Sequence, residues 1–302
     1  MSGVRTLRPE VAHRVGAELG EGPVWDARRG ELLFVDILAG RLHRAGAEGV
    51  ATLLELDQNL GAALPAADGS VLLVTRSGFR VLDRDSGTTG TLLDVLGDRR
   101  DLRFNDAKVD PAGRCLAGTL SLVDAERDCA LLVLSDGPRV DTVVPDVGLS
   151  NGLGWSPDGR RLYYADTKSG AVAAYLYDPD TGRVGDAAPF APDLGSPDGL
   201  CVDGTGAVWV ALWDGSQVRR FTPDGRLDTV LELPVPHVTS CAFGDDDGQT
   251  LYITTARSGL SAADLARTPQ AGDVFAVRPG VGAPPAVPWR PVAVGVDGTE
   301  GR

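Results

Sequence analysis

The sequence has few of the residues on which many metalloprotein and hydrolase sites depend. It contains only three histidines, and none has the spacing of a metal-binding pair or a catalytic triad. The four cysteines form no CxxC motif, so we expect them to be reduced and buried rather than bound to zinc. A GxSxG nucleophile elbow and a phosphate-binding loop are also missing. These absences leave oxygen-bearing side chains as the candidates for chemistry.

The chain also lacks the features of membrane and nucleic-acid-binding proteins. No run of 18 apolar residues occurs, which argues against a membrane partner. The first residues have no apolar signal-peptide core, so we expect a cytoplasmic location. The formal net charge of −13 argues against binding to a phosphate backbone, which requires a basic surface. No feature of the sequence predicts an oligomeric state.

Glycine-containing turns are abundant, and they recur at a regular interval along the chain. Spacings of 39 to 47 residues separate the turn glycines Gly30, Gly69, Gly113, Gly159, Gly206 and Gly248. After each of them comes a strand rich in β-branched or aromatic residues, and then a further strand of similar character. Six units of this length, each a small antiparallel meander, predict an all-β, six-bladed β-propeller.

The repeats leave no linker or change of composition that would divide the chain. We expect one propeller domain over residues 10–295, with flexible termini at residues 1–9 and 296–302. Residues 10–17 are expected to add an outer strand to the last blade, because this removes an open sheet edge. The proline-rich residues 280–291 are expected to wrap the surface, and residues 261–267 are the only candidate helix.

A second regularity lies ahead of the turn glycines. Eight residues before each glycine, or nine in the first unit, the sequence has Glu21, Gly61, Asn105, Asn151, Asp198 and Ser240. In a propeller these positions enter the innermost strands, so they should surround one mouth of the central channel. Asn and Asp next to Gly are also ordinary turn residues. Four oxygen donors in phase across the repeats favour a metal site at this mouth, suited to a hard divalent cation.

Six segments of the chain resemble one known family. They are residues 19–25 (LGEGPVW), 103–114 (RFNDAKVDPAGR), 117–119 (AGT), 150–156 (SNGLGWS), 197–199 (PDG) and 239–243 (TSCAF). In this order they are similar to the regucalcin (senescence marker protein)/gluconolactonase/luciferin-regenerating enzyme family. The resemblance implies a six-bladed propeller with one divalent ion in the channel and hydrolysis of sugar lactones.

The resemblance also assigns roles to particular residues. It implies that Glu21, Asn151 and Asp198 are metal ligands and that Arg103 and Asn105 bind the sugar. Asp198 also matches the family's catalytic base, and site chemistry permits a carboxylate to take the proton of water. One departure concerns an acidic substrate-binding residue that many members have after the AGT motif, where this chain has Asp124 only further along the loop.

Two smaller features of the sequence bear on the site. Ala107 stands where glycine is usual in the family. His237, just ahead of the sixth repeat, is expected to have a packing or capping role rather than a catalytic one.

These observations predict a carboxylic-ester hydrolase of the gluconolactonase type, acting on a small sugar lactone with one divalent ion. Calcium suits the oxygen-rich ligand set best, and magnesium, manganese or zinc are alternatives. Two other functions fit the same residues. The propeller could bind an ion or ligand without catalysis, or it could hydrolyse a different ester, such as a phosphotriester, on the same metal.

Overall fold

The tight turns between strands follow the predicted glycine positions. The computed structural model describes residues 3–292 of the chain. All six predicted turn glycines have a positive φ, between 63° and 94°, which residues with a Cβ rarely adopt. Each of these glycines closes the hairpin between the first and second strand of one sheet. The repeat predicted from the sequence is therefore confirmed as a structural unit.

The hairpins extend into six sheets arranged as the blades of a propeller. The first two strands of the chain are β1 (Arg5–Leu7) and β2 (Glu10–His13). Blade one contains β3 (Gly20–Asp26), β4 (Glu31–Asp36), β5 (Arg41–Gly46) and β6 (Gly49–Glu55). Blade two contains β7 (Leu60–Pro65), β8 (Val71–Thr75), β9 (Gly78–Leu82) and β10 (Thr89–Asp94). Blade three contains β11 (Leu102–Val109), β12 (Cys115–Ser121), β13 (Cys129–Ser135) and β14 (Arg139–Val147).

The remaining three blades repeat this pattern. Blade four contains β15 (Ser150–Trp155), β16 (Arg161–Asp166), β17 (Ala171–Asp178) and β18 (Arg183–Ala191). Blade five contains β19 (Ser196–Val202), β20 (Val208–Trp213), β21 (Gln217–Phe221) and β22 (Leu227–Glu232). Blade six contains β23 (Val238–Gly244), β24 (Thr250–Thr255) and β25 (Val274–Val277). We call the channel end where the first strands of the blades begin the upper mouth, and the end where they finish the lower mouth.

The N-terminal segment closes the ring. Strand β2 pairs antiparallel with β25 and completes the sixth blade, as the sequence predicts. Strand β1 pairs in parallel with β22, which gives blade five a fifth strand. This part of residues 1–9 is therefore a sheet strand rather than the flexible terminus expected from the sequence. The ladder hydrogen bonds of an otherwise open blade edge provide the physical reason. Residues 296–302 lie outside the described part of the chain, and the domain limits of 10 and 295 remain a prediction.

The apolar core is divided among the interfaces between neighbouring blades. In residues 3–292 each of the six hydrophobic clusters joins two adjacent blades. Trp209, Phe34 and Phe104 are fully buried in three of these clusters. Complete burial of each such side chain contributes roughly 1.5–3 kcal/mol. The blades therefore hold one another in place around the channel.

Two segments lie outside the blade pattern. The predicted helix is present as α1 (Ala262–Arg267), where Ser261 accepts a hydrogen bond from the backbone of Asp264 in a capping box. Residues 280–292 cross the lower mouth, and Trp289 is buried between blades two and three. No helix within residues 3–292 has the length and apolar character needed to cross a membrane.

Candidate active site

The innermost strand of every blade is irregular where the sequence predicts the ring of site residues. Its pairing with the second strand changes register at or beside Glu21, Gly61, Asn105, Asn151, Asp198 and Ser240. A β-bulge leaves a residue outside the regular ladder and re-aims its side chain. The common sequence offset thus corresponds to a backbone feature that is repeated in all six blades at the upper mouth.

Glycines next to these positions let the blades approach closely. A Cβ added to Gly152 would lie 2.5 Å from the carbonyl oxygen of Asp198. A Cβ added to Gly199 would lie 2.4 Å from the Cβ of Ser240. Neither position has room for a larger residue unless the backbone moves. The Asn-Gly and Asp-Gly pairs are therefore packing requirements of the channel wall and not exposed turns.

A chain of hydrogen bonds joins the site residues of blades three and four. Arg103 Nη1 donates to Asn105 Oδ1 at 2.8 Å and to the carbonyl of Phe104 at 2.9 Å. Asn105 Nδ2 donates to Asn151 Oδ1 at 3.1 Å and to the carbonyl of Ser150 at 2.9 Å. Because Arg103, Asn105 and Asn151 are all buried, these contacts fix the orientation of both amides.

Thr167 extends this network of hydrogen bonds to blade five, and no pattern in the sequence indicates its role. It lies in a short 3₁₀ turn, Thr167–Ser169. Thr167 Oγ1 accepts from Asn151 Nδ2 at 2.9 Å and donates to the carbonyl of Pro197 at 2.6 Å. Because Asn151 Nδ2 is bound to Thr167, the side-chain oxygen Oδ1 of Asn151 points away from Thr167. The same hydroxyl holds the peptide immediately before Asp198.

Glu21 and Asp198 are buried carboxyl groups in mutual contact. Burial and, to a smaller extent, the charge of Asp106 together raise the pKa of Glu21 to about 8. The pKa of Asp198 is also raised well above its ordinary value. Burial is the largest cause, and the charges of Glu21 and Asp106 and a hydrogen bond to Glu21 add to it. Two ionised carboxylates repel each other in such a position. A proton or a cation is needed between them.

Arg103 is the cationic side chain of the upper site. Burial lowers the pKa of its guanidinium group to about 10, and the carboxylates of Glu21 and Asp198 oppose that decrease. It stays protonated at neutral pH. Only Nη1 has a hydrogen-bond partner within residues 3–292, so the donors at Nε and Nη2 are available to a ligand.

Asp106 and Lys108 are two charged groups of the channel whose roles were not anticipated. Asp106 is 5% exposed, and its Oδ2 has no hydrogen-bond partner among the described residues. Burial raises its pKa, whereas the Lys108 ammonium group lowers it. Lys108 Nζ reaches across to the carbonyl of Leu200 at 2.6 Å. The signal in the sequence was the presence of two charged residues at alternate positions in a largely buried strand.

Asp124 is not brought into the site. Its side chain is 91% exposed, and its carboxylate accepts from Lys168 Nζ at 2.6 Å. The loop would have to rearrange, and this ion pair would have to break, before Asp124 could contact a substrate held by Arg103. The acidic residue of many family members therefore has no counterpart in this conformation.

His237 has a packing environment, in agreement with the expectation from the sequence. Its ring stacks on Trp213 with centroids 4.0 Å apart and an interplanar angle of 11°. Its Nε2 lies 2.9 Å from Asp214 Oδ1. These contacts hold the loop between blades five and six at the rim of the upper mouth.

The ligand set best suited to a metal ion consists of oxygen atoms. Glu21 and Asp198 provide two carboxylates, and Asn151 provides an oriented amide oxygen. No group of three or more His, Cys, Asp or Glu side chains that could hold an ion occurs within residues 3–292. The three predicted ligands are not such a group, because one of them is Asn151. A divalent ion would replace the repulsion between the two carboxylates with attraction, so these residues fit such a group.

Comparison with known proteins gives consistent matches over most of the chain. Residues 19–257 match the family described as SMP-30/Gluconolactonase/LRE-like region. Regucalcin from Gallus gallus is 36% identical over 269 residues, which are 86% of this chain and 90% of that protein. A 6-deoxy-6-sulfogluconolactonase from Pseudomonas putida is 38% identical over 265 residues, covering 86% and 91% of the two chains.

A solved structure supports the same relationship. Regucalcin from Agrobacterium tumefaciens, described as a calcium-binding protein, has a TM-score of 0.90 and 25% sequence identity to this chain. The match covers 96% of this chain and 100% of that one.

Proposed function

The chain belongs to the SMP-30/gluconolactonase/LRE-like family, and from this premise we propose that it is a metal-dependent hydrolase of sugar lactones. The product would be an aldonic acid. A relative named 6-deoxy-6-sulfogluconolactonase supports a lactone substrate. A cytoplasmic location and a small-molecule partner are parts of the same proposal.

The main support is the arrangement of residues that are far apart in sequence. Glu21 contacts Asp198, and hydrogen bonds run from Arg103 through Asn105 to Asn151. Two acidic groups, two amides and one guanidinium group are thus buried together at one mouth of the channel. Sites of this kind combine groups that bind an ion with groups that orient a polar substrate.

Glu21, Asn151 and Asp198 would hold the divalent ion. When bound, such an ion acts as a Lewis acid on a carbonyl oxygen and stabilises the negative charge that ester hydrolysis develops there. Calcium is the ion that we favour, because the donors are all oxygen atoms and a solved relative is described as calcium-binding.

Asp198 would act as the general base. With the ion bound, its carboxylate would be ionised, and a positioned carboxylate can take a proton from a neighbouring water. Arg103 would donate from Nε and Nη2 to the ring or hydroxyl oxygens of the sugar. Asn105 holds the guanidinium group of Arg103 and the amide of Asn151 in fixed positions, because it hydrogen-bonds to both. Together these groups orient the lactone carbonyl toward a water held by Asp198.

The release of acid from gluconolactone tests this function. The purified protein is assayed with a pH indicator, with spontaneous hydrolysis subtracted, before and after treatment with a chelator. We expect the chelator to abolish the protein-dependent rate and calcium, magnesium, manganese or zinc to restore it. A protein that binds the ion but has no ion-dependent rate on any sugar lactone would be a binding propeller. Turnover of a phosphotriester alone would instead indicate a different ester hydrolase.

Thr167→Val should weaken ion binding although Thr167 is not a proposed ligand. Valine keeps the shape of threonine but removes the hydroxyl that orients Asn151 and the peptide before Asp198. Loss of such a supporting contact typically reduces metal affinity by roughly 10- to 100-fold. Isothermal titration with calcium or manganese measures the change. Thr167→Ser retains the hydroxyl and should bind within a few-fold of wild type. Equal affinity in the valine variant would show that the hydroxyl does not support the site.

The stabilisation that the ion provides should increase with pH. Glu21 has a pKa of about 8 in the folded, metal-free protein, against an ordinary value of 4.5. Because this acid has a raised pKa, its contribution to the stability of the metal-free protein is greatest below about pH 4.5. That contribution is lost as the pH rises through about 8. A bound ion removes this penalty, since it pairs with the ionised form. The Tm difference between ion-loaded and chelator-treated protein should therefore widen between about pH 5 and pH 8.

The control for this pH experiment is Glu21→Gln, which has no carboxyl group to titrate. Its Tm difference should widen much less over the same interval. A difference that is independent of pH in the wild-type protein would contradict the assignment of Glu21 as a ligand.

A further inference from the structure

Two buried thiols from neighbouring blades meet beside the channel. Cys201 in β19 and Cys241 in β23 have their Sγ atoms 3.6 Å apart. The two strands belong to different sheets, so no ladder hydrogen bonds fix their separation. Cys115 and Cys129 are also buried, but they lie in two different inter-blade clusters. Only the first pair has a sulfur–sulfur contact within residues 3–292.

The two strands also pack closely just before the two cysteines. A Cβ on Gly199, two residues before Cys201, would lie 2.7 Å from the Cα of Ser240, the residue before Cys241. The strands therefore approach more closely here than two ordinary side chains permit. A disulfide requires a sulfur–sulfur distance of about 2.05 Å, so the thiols must approach by roughly 1.5 Å.

One of the two cysteines also lines a cavity. It has a volume of about 270 Å³ at the lower mouth, and its lining includes Cys201, Val202 and Phe243. Ala283 and Pro284 of the C-terminal segment are also part of its lining. Cys201 is 8% exposed, whereas Cys241 is fully buried. An oxidant small enough to enter this cavity would come next to Cys201 without passing the upper mouth.

We propose that Cys201 and Cys241 are a redox modification site that forms a disulfide between blades five and six. The oxidant is hydrogen peroxide. Its O–O bond breaks as Cys201 is oxidised to a sulfenic acid, and one water is released. The Cys241 sulfur then displaces the sulfenic oxygen as a second water, and the S–S bond forms. Overall, two thiols lose two electrons and two protons, and the peroxide is reduced to two waters.

The reaction is slow under mild conditions. Burial raises the pKa of Cys201, and the neighbouring Cys241 thiol raises it further, which decreases the thiolate fraction that attacks peroxide. Once formed, the bond links residues separated by 40 positions and ties the blade that carries Asp198 to the next blade. Closing a loop of this length stabilises the folded state relative to the unfolded chain.

Peptide mapping of the full-length protein tests the proposal. The protein is incubated with millimolar hydrogen peroxide and then denatured in the presence of a thiol-alkylating reagent. It is digested without reduction. We expect a peptide pair linked through Cys201 and Cys241, with Cys115 and Cys129 alkylated. Dithiothreitol should reverse the link. The oxidised protein should show an increase in Tm of roughly 5 °C.

Two variants make this test specific. Cys241→Ser should give no linked peptide and no increase in Tm after oxidation. Cys115→Ser removes an equally buried thiol without a sulfur neighbour, and it should form the Cys201–Cys241 link at the wild-type rate. The proposal is overturned if Cys201 is recovered as a free thiol or as a sulfinic acid, or if it links equally to Cys115. None of these measurements depends on lactone hydrolysis.

Discussion

Asp198→Asn should reduce the turnover of the lactone substrate by roughly 10³- to 10⁴-fold. General bases contribute up to about 10⁴-fold to such reactions, and an amide cannot accept the proton of the attacking water. The amide oxygen still offers one neutral donor to an ion, but a carboxylate ligand is lost, so ion affinity should also decrease, by roughly 10²- to 10⁴-fold as expected for Glu21→Gln. The substitution also removes the repulsion with Glu21, which favours the folded, metal-free protein.

Steady-state assays and calorimetric titration of the same preparations separate these effects. Turnover is measured at saturating ion, so that weaker binding does not limit the rate. Asp193→Asn is a suitable control, since Asp193 is exposed, has a positive φ that asparagine tolerates, and lies five residues upstream. It should retain wild-type kcat. If the Asp198 variant keeps more than a tenth of the wild-type kcat, Asp198 is not the base.

Glu21→Gln should have opposite effects on the ion-loaded and the metal-free protein. Removal of one partner from a buried charge pair costs about 3–5 kcal/mol, so ion affinity should decrease by roughly 10²- to 10⁴-fold. Without ion, the variant should be more stable than wild type at pH 8, because burial and Asp106 disfavour an ionised Glu21. A structural glutamate with no ion to bind would not produce this reversal.

Thermal unfolding in chelator and in saturating ion measures both effects of the substitution on Tm in one experiment. The expected result is a higher Tm for the variant in chelator and a smaller increase in Tm when ion is added. Glu18→Gln, an exposed neighbour three residues upstream, should behave as wild type in both conditions. A Glu21 variant that is destabilised without ion and gains as much Tm as wild type with ion would contradict the assignment.

The features that repeat along the chain were predictable from the sequence. The turn glycines impose a backbone conformation that few other residues adopt, so their spacing gave the number of blades. The ring positions follow because every innermost strand has a bulge eight or nine residues before its turn glycine. The outer strand β2 was predictable because an open sheet edge must be covered.

Contacts made once, between distant residues, were not predictable. Lys108 bonds to the carbonyl of Leu200, 92 residues away, and no pattern in either strand encodes that pairing. Thr167 acts through Asn151 and Pro197, which belong to two different blades. Their roles depend on the angle at which neighbouring blades pack, and this angle is set by side chains of both sheets. The parallel pairing of β1 with β22 is a tertiary contact of the same kind.

The central claim is that Glu21, Asn151 and Asp198 bind one divalent cation. An anomalous-difference map from a crystal grown with manganese or calcium tests it most directly, with a sugar lactone or its aldonic acid product soaked in. We predict a single strong peak at the upper mouth, within ligand distance of one oxygen from each of these three side chains, about 2.3–2.6 Å for calcium. A map with no peak there at saturating ion, or with the three side chains turned to separate places, would contradict it.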